Sequence, residues 1–162
     1  YSLWLKRTSK QNIVIGGAAG AMPVLVGWAA VTNSLGWTPV VLFVVIFLWT
    51  PPHFWALAIR HADDYKAAGV PMMPVVVSLE RTVRSMTVYA VLLTISTLVL
   101  IPVADLGWIY GVTSLVFGVA FVIGAVRLGS DPSPKRSMRL FTFSITYVTA
   151  IFVALTVDVL LR

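Results

Sequence analysis

Between Lys10 and Arg60 no residue carries a formal charge. A stretch that long cannot alternate between a water-facing and a core-facing side of a soluble fold. In a bilayer, about 20 apolar residues suffice for one helical crossing. The stretch is too long for a single crossing, and Thr32-Asn33-Ser34-Leu35-Gly36 places a turn signal in its middle. It reads as two spans, at about 13–32 and 38–59. The same reasoning puts a third span at about 85–104, between Arg84 and Asp105. A fourth follows at about 107–126 after the tight turn Asp105-Leu106-Gly107, and a fifth at about 140–157. Backbone groups in lipid must be satisfied within the chain, which leaves helices or a closed barrel. A barrel needs alternating apolar and polar residues, and the chain has none of that pattern. The expected fold is all-α: a polytopic transmembrane helix bundle of five spans, forming one domain over residues 1–162.

Composition supports this. Of the 162 residues, 59% are hydrophobic and 11% are charged, against roughly 25% charged in soluble domains. The chain has no cysteine, which excludes disulfides, thiolate metal sites and a cysteine nucleophile. The net charge of +6 would suggest nucleic acid in a soluble protein, but here it follows topology. Lys6, Arg7 and Lys10 precede the first span. Arg60, Lys66, Arg81 and Arg84 lie between the second and third. Arg127, Lys135, Arg136 and Arg139 lie between the fourth and fifth. All of them fall on one side, and the opposite turns hold no lysine or arginine. The positive-inside rule places the basic loops in the cytoplasm and the C-terminus outside. No nucleic-acid partner is expected. The opening Tyr1-Ser-Leu-Trp-Leu-Lys-Arg7 reads as the tail of an earlier span entering a basic loop, so the chain is expected to lack an N-terminal part.

Four groups of residues carry chemistry. On the first span, Asn12, Gly16, Gly20, Pro23 and Gly27 share one stripe at spacings of 4, 4, 3 and 4. Small residues allow close helix packing; a smooth face can also border a cavity for a bulky ligand. On the second span, Pro51-Pro52 removes two backbone donors about eight residues from Arg60, or roughly 12 Å inside the membrane surface. A broken helix is expected there, buried in protein or lining a cavity. His53 follows at once. At this depth an ionisable side chain points to function, or equally to a neutral ring bonded to a carbonyl freed by the prolines.

Third, Asp63-Asp64-Tyr65-Lys66 follows the span. An acidic pair in a loop is commonly a solvated face. Open carboxylates are also what Mg²⁺ uses to bridge to a substrate phosphate, and Arg60, Lys66, Lys6 and Arg7 can neutralise phosphate oxygens. The combination suggests a Mg²⁺-bound diphosphate at the mouth of an apolar cavity, suited to a charged head on a greasy tail. Fourth, Trp49, Phe54 and Trp55 flank the prolines and can wall a flat apolar ligand, although aromatic side chains here can equally be packing.

Three blocks carry a family resemblance: Asn12-Ile-Val-Ile-Gly-Gly-Ala-Ala-Gly-Ala-Met-Pro23, Trp49-Thr-Pro-Pro-His-Phe-Trp-Ala-Leu-Ala58 and Asp63-Asp-Tyr-Lys-Ala-Ala-Gly-Val-Pro-Met-Met-Pro-Val-Val76. They resemble the protoheme IX farnesyltransferases, the heme branch of the UbiA-like superfamily of intramembrane prenyltransferases. The opening seven residues and the stretch from Lys135 to Phe143 share the resemblance. It implies a nine-helix bundle around a central cavity, of which this chain would be the last five helices. It implies farnesyl transfer from farnesyl diphosphate, with water, to a vinyl group of heme B, giving heme O. Heme B would be substrate rather than cofactor, and Mg²⁺ would be bound as Mg²⁺-diphosphate. A heme A synthase or an oxidase assembly factor would be the protein partner, and the site would be the plasma (inner) membrane.

On these grounds Asp63, Asp64, Lys66 and His53 are expected to be catalytic, with Asp63 and Asp64 on the metal. Arg60, Tyr65, Lys6, Arg7, Asn12 and Trp49 are expected to bind substrate. The family's first aspartate-rich motif would lie before Tyr1, so these 162 residues alone are expected to be inactive. The alternatives are a prenyltransferase acting on an aromatic quinone precursor, against which the Thr-Pro-Pro-His-Phe-Trp block argues, and a transporter or oxidase assembly subunit. The latter would show inverted repeats, and none is seen.

Overall fold

A computed structural model describes residues 9, 11–131 and 133–161. Among the described residues seven helices follow in order: α1 (Asn12–Thr32), α2 (Trp37–Arg60), α3 (Ala62–Ala67), α4 (Met73–Val76), α5 (Leu79–Val103), α6 (Trp108–Ser130) and α7 (Pro134–Leu160). Five of them, α1, α2, α5, α6 and α7, are long and apolar enough to cross a membrane. Among the described residues there is no strand. The protein is a multi-pass helical membrane protein.

The turns form where the sequence signals them. Asn33 ends α1 in the left-handed conformation, with φ 50°, and its N–H donates to the Ala29 carbonyl. Asp105 adopts φ 50° between α5 and α6. Asn and Asp tolerate this region better than most residues because their short polar side chains can bond locally. Two helices begin earlier than the charge pattern implies. The α5 helix starts at Leu79, with the Ser78 hydroxyl accepting from Arg81 N–H. The α7 helix starts at Pro134, with Ser133 accepting from Arg136 N–H. Charges mark where the hydrocarbon ends, whereas serine caps mark where the helix ends, so both helices project past the membrane-depth segment at the basic end.

The second helix is the axis of the bundle. It packs against α1, α5 and α7, and against the short α3 and α4. The α6 helix closes the far side against α5 and α7, whereas α1 packs on α2 alone among the described helices. The buried side of α7 follows a strict three-four spacing through Ser137, Leu140, Ser144, Tyr147, Ile151, Ala154 and Asp158. That is the seam of left-handed helix packing. Its last member, Asp158, accepts from the Gly107 and Tyr110 backbone N–H groups at the start of α6. The carboxylate thus satisfies orphan donors at a helix N-terminus and sits against its positive dipole end.

The expectation of a broken second span is corrected. Helix α2 runs unbroken from Trp37 to Arg60 with Pro51 and Pro52 inside it, both buried. Burial by three neighbouring helices holds the geometry although the carbonyls of Phe47 and Leu48 have lost their usual donors.

The closest approach of α5 and α6 is at Gly118. A Cβ there would lie 2.5 Å from Thr94 Cγ2 and 2.9 Å from its Oγ1. Gly118→Ala is expected to destabilise the bundle by about 1–3 kcal/mol through overpacking, read as a lower thermal midpoint in detergent. Thr94→Ser, which removes the nearer methyl, should recover part of that loss; an unchanged midpoint for Gly118→Ala would mean the helices separate freely there.

Candidate functional site

Where α1 meets α2, Gly17 makes the close contact, since a Cβ on it would sit 3.2 Å from Thr50 Cβ and Cγ2. On either side of that contact the helices leave space. A cavity of about 440 Å³ is lined by Asn12, Ile13, Gly16, Gly17 and Gly20 of α1 and by Ile46, Trp49, Thr50 and Phe54 of α2. Tyr65 of α3 and Val70 and Met72 of the following loop also line it. That loop is held by Val70 N–H donating to the Tyr65 carbonyl (3.0 Å) and Met72 N–H donating to the Val70 carbonyl (2.8 Å). Gly69 takes φ 66° to make the turn, a conformation that favours glycine.

The stripe glycines Gly16 and Gly20 fit the cavity reading, not the packing one. Gly16 and Gly20 border the cavity, while the tight contact belongs to Gly17, one residue out of phase. A Cβ at Gly20 or Gly27 would meet nothing within 4 Å. Of the expected substrate-binding residues, Asn12, Trp49 and Tyr65 are brought together on the cavity wall.

The charged residues flank Tyr65 in sequence. Asp63 and Asp64 occupy the first turn of α3, and Lys66 its last. All three are exposed, as is Arg60 in the last turn of α2. His61 Nδ1 donates to Asp64 Oδ2 at 3.0 Å. Among the described residues no group of three or more His, Cys, Asp or Glu side chains converges as a metal cage. Two adjacent open carboxylates are nevertheless a donor set of the type Mg²⁺ accepts when phosphate and water complete its octahedron. Lys6 and Arg7 lie outside the described residues.

His53 does not line the cavity. It is 7% exposed and lies between α2 and α7, where its ring stacks between Trp49 (4.2 Å between centroids) and Phe141 (4.4 Å), with Phe54 edge-on at 5.0 Å. Its Nδ1 is 2.6 Å from Ser144 Oγ. The Ser144 hydroxyl has one proton, and it donates that to the Phe141 carbonyl at 2.6 Å. Proton counting therefore assigns the His53 Nδ1–H as donor to Ser144 Oγ. Trp49 Nε1 donates to the Ser144 carbonyl at 2.8 Å, so both rings are fixed by one residue of α7. Sequence reasoning missed Ser144 and Phe141. The available signal was the polar member of an otherwise apolar three-four seam.

The arrangement is a largely apolar cavity between two helices of membrane-spanning length, with Tyr65 of the charged α3 segment on its wall. Residues 1–154 match the UbiA prenyltransferase family, and the chain belongs to that family. Among its curated relatives are the protoheme IX farnesyltransferases of Gloeobacter violaceus and Parafrankia sp. The first is 54% identical over 159 residues, covering 98% of this chain and 52% of the relative. The second is 53% identical over 164 residues, covering 99% and 52%. The chain thus spans about half the length of the curated relatives it matches. A solved structure described as digeranylgeranylglyceryl phosphate synthase in membranes superposes at a TM-score of 0.86 with 17% identity, over 98% of this chain and 56% of that one. It shares the fold.

If His53 is chiefly a packing element, His53→Ala should leave a cavity between α2 and α7 and cost about 2–5 kcal/mol. Ser144→Ala, which leaves the buried Nδ1–H unpaired, should cost about 1–3 kcal/mol. Thermal unfolding in detergent measures both; two unchanged midpoints would show that this cluster does not hold α7 to α2.

Proposed function

We propose that this chain forms part of a heme-directed prenyltransferase, which transfers the farnesyl group of farnesyl diphosphate, with water, to a vinyl group of heme B and yields heme O. The observation that carries the reading is the largely apolar cavity between α1 and α2, lined also by Tyr65 of the segment that bears Asp63, Asp64 and Lys66. It matches a substrate with a diphosphate head and an isoprenoid tail. The resemblance to farnesyltransferases that act on protoheme IX supplies the acceptor.

Asp63 and Asp64 would hold Mg²⁺, which when bound offsets negative charge developing on the departing diphosphate. Arg60, Lys66, Lys6 and Arg7 contact the outer phosphate oxygens. Gly16, Gly17 and Gly20 leave room for the tail, while Ile13, Ile46, Trp49 and Phe54 keep water from the allylic carbon as its bond to oxygen breaks. The terminal heme vinyl carbon would form the new bond to the farnesyl carbon, leaving positive charge on the adjacent carbon, where water adds and gives up a proton to the released diphosphate to complete the hydroxyethyl group. His53 orients Trp49 from behind instead of touching substrate. The positive-inside rule places the Arg60, Arg84, Arg127 and Arg139 end in the cytoplasm of the plasma membrane and the end of α7 outside. A heme A synthase or an oxidase assembly factor is the protein partner this activity implies.

The test is mass spectrometry of heme extracted from membranes that express the complete gene product in a host unable to make heme O. A species heavier than heme B by a farnesyl group plus water is expected, falling about 100-fold or more with Asp64→Ala. Heme B alone, with expression confirmed, would refute the heme reading and direct attention to aromatic acceptors. A second substitution tests the cavity. Gly20→Leu has open space for its side chain and should cut turnover at least about ten-fold without lowering the thermal midpoint; undiminished turnover would move the tail site elsewhere.

A further inference from the structure

Beside the cavity lies a second recess, of about 330 Å³, lined by Gln11, Met73, Val77, Arg81, Arg84 and Ser85. Its walls adjoin the cavity's through consecutive residues: Gln11 precedes Asn12, and Met73 follows Met72. Its polar lining is Gln11, Ser85 and the two arginines, and no carboxylate lines it. Arg81 and Arg84 are three apart in the first turns of α5, so they share a helix face. Both are exposed, and among the described residues neither forms an ion pair. The nearest acidic residue in sequence, Glu80, lines the neighbouring outer recess with Arg81 and Arg84 but does not pair with them. Two unneutralised guanidinium groups at the edge of an apolar cavity form an anion site distinct from the acidic segment of α3.

Arginine forks take carboxylate and phosphate alike, but on the reading above the diphosphate is already provided for by Mg²⁺ at the α3 carboxylates, which leaves this rim for the acceptor. A diphosphate, with several charges on tetrahedral groups, is held through a hard cation on carboxylates. A planar carboxylate matches the fork of an arginine directly, without a metal. We propose that Arg81 and Arg84 bind the propionate carboxylates of the tetrapyrrole acceptor, which presents its vinyl edge to the cavity while its carboxylates stay at the charged rim. This rests on the heme reading above. It assigns the acceptor and the prenyl donor to separate charged subsites, basic for one and acidic through Mg²⁺ for the other.

The test uses the complete protein in detergent, with heme B and its dimethyl ester, in which both propionates are blocked. Heme binding is followed by the change in Soret absorbance, and turnover separately as a function of heme and of farnesyl diphosphate. The wild type is expected to bind heme B at least about ten-fold more tightly than the diester, through charge-assisted bonds. Arg81→Gln/Arg84→Gln should lose that preference and raise the KM for heme by a similar factor. Its KM for farnesyl diphosphate should stay within about two-fold. Arg81→Lys/Arg84→Lys should recover part of the preference, and equal thermal midpoints exclude a folding defect. Three results would overturn the assignment: a Gln variant that still prefers heme over the diester, a wild type with no such preference, or a loss confined to farnesyl diphosphate. Absence of heme O from the wild type would instead sink the functional reading on which the assignment stands.

Discussion

The Pro51-Pro52 pair in α2 sets the arrangement of the bundle. Two consecutive residues without an N–H leave two carbonyls without their helical donors. In hydrocarbon that backbone cannot face lipid, so this level of α2 has to be enclosed. It is: Thr50, Pro51, Pro52, His53, Trp55 and Ala56 are all buried, behind α1, α5 and α7. The polar side chains buried at this level also need partners, and Ser144 supplies two of them, to His53 and to Trp49. The axis position of α2 and the Ser144 level of the α7 seam thus meet the demand that this defect in the hydrogen-bond ladder makes for enclosure.

The cavity follows from the same helix. Helix α1 packs along α2 and comes close to it where Gly17 faces Thr50, while Gly16 and Gly20 leave space beside that contact unfilled. Chain connectivity then brings charge near the cavity. Only His61 separates the end of α2 from α3, so the residue count alone puts Asp63 and Asp64 within a turn of the membrane boundary. His61, bonded to Asp64, fixes that carboxylate from the side of α2.

Much of this was legible. Charge-free stretches and turn residues located all five crossings, because lipid penalises charge and unpaired backbone more strongly than any soluble environment does. The same signal misplaced the starts of α5 and α7, since it reports hydrocarbon depth and not the serine caps at Ser78 and Ser133. The short α3 and α4 were read as loop; six and four residues are too few to form helices on their own, and tertiary contacts decide them. Asn12, Trp49 and Tyr65 were named as substrate-binding with the help of the family resemblance, and all three stand on the cavity wall. The His53–Ser144 pair could not be named, because its members are 91 positions apart and nothing local couples them. The glycine stripe was read in the right place but one residue out of phase, since a periodic pattern gives a face and the crossing angle chooses the contact within it.

Solvent also decides what the cavity can contribute. In water, burying an isoprenoid tail gains about 0.8 kcal/mol per methylene. A substrate arriving from a bilayer has already made that gain, and lipid tails are as apolar as Ile13 or Ile46. The cavity therefore supplies shape and dryness far more than affinity. Binding energy must come from groups the bilayer interior cannot match, which are the charged heads at the interface. Exposed ionisable residues are available near that end of the helices: Asp63, Asp64 and Lys66 on α3, which also supplies Tyr65 to the cavity wall, and Arg81 and Arg84 in the adjoining recess. In a soluble enzyme, a greasy pocket with a charged rim divides the work of recognition between pocket and rim. In a membrane the rim carries nearly all of it, and a single charged substitution there should matter more than enlarging or trimming an apolar wall.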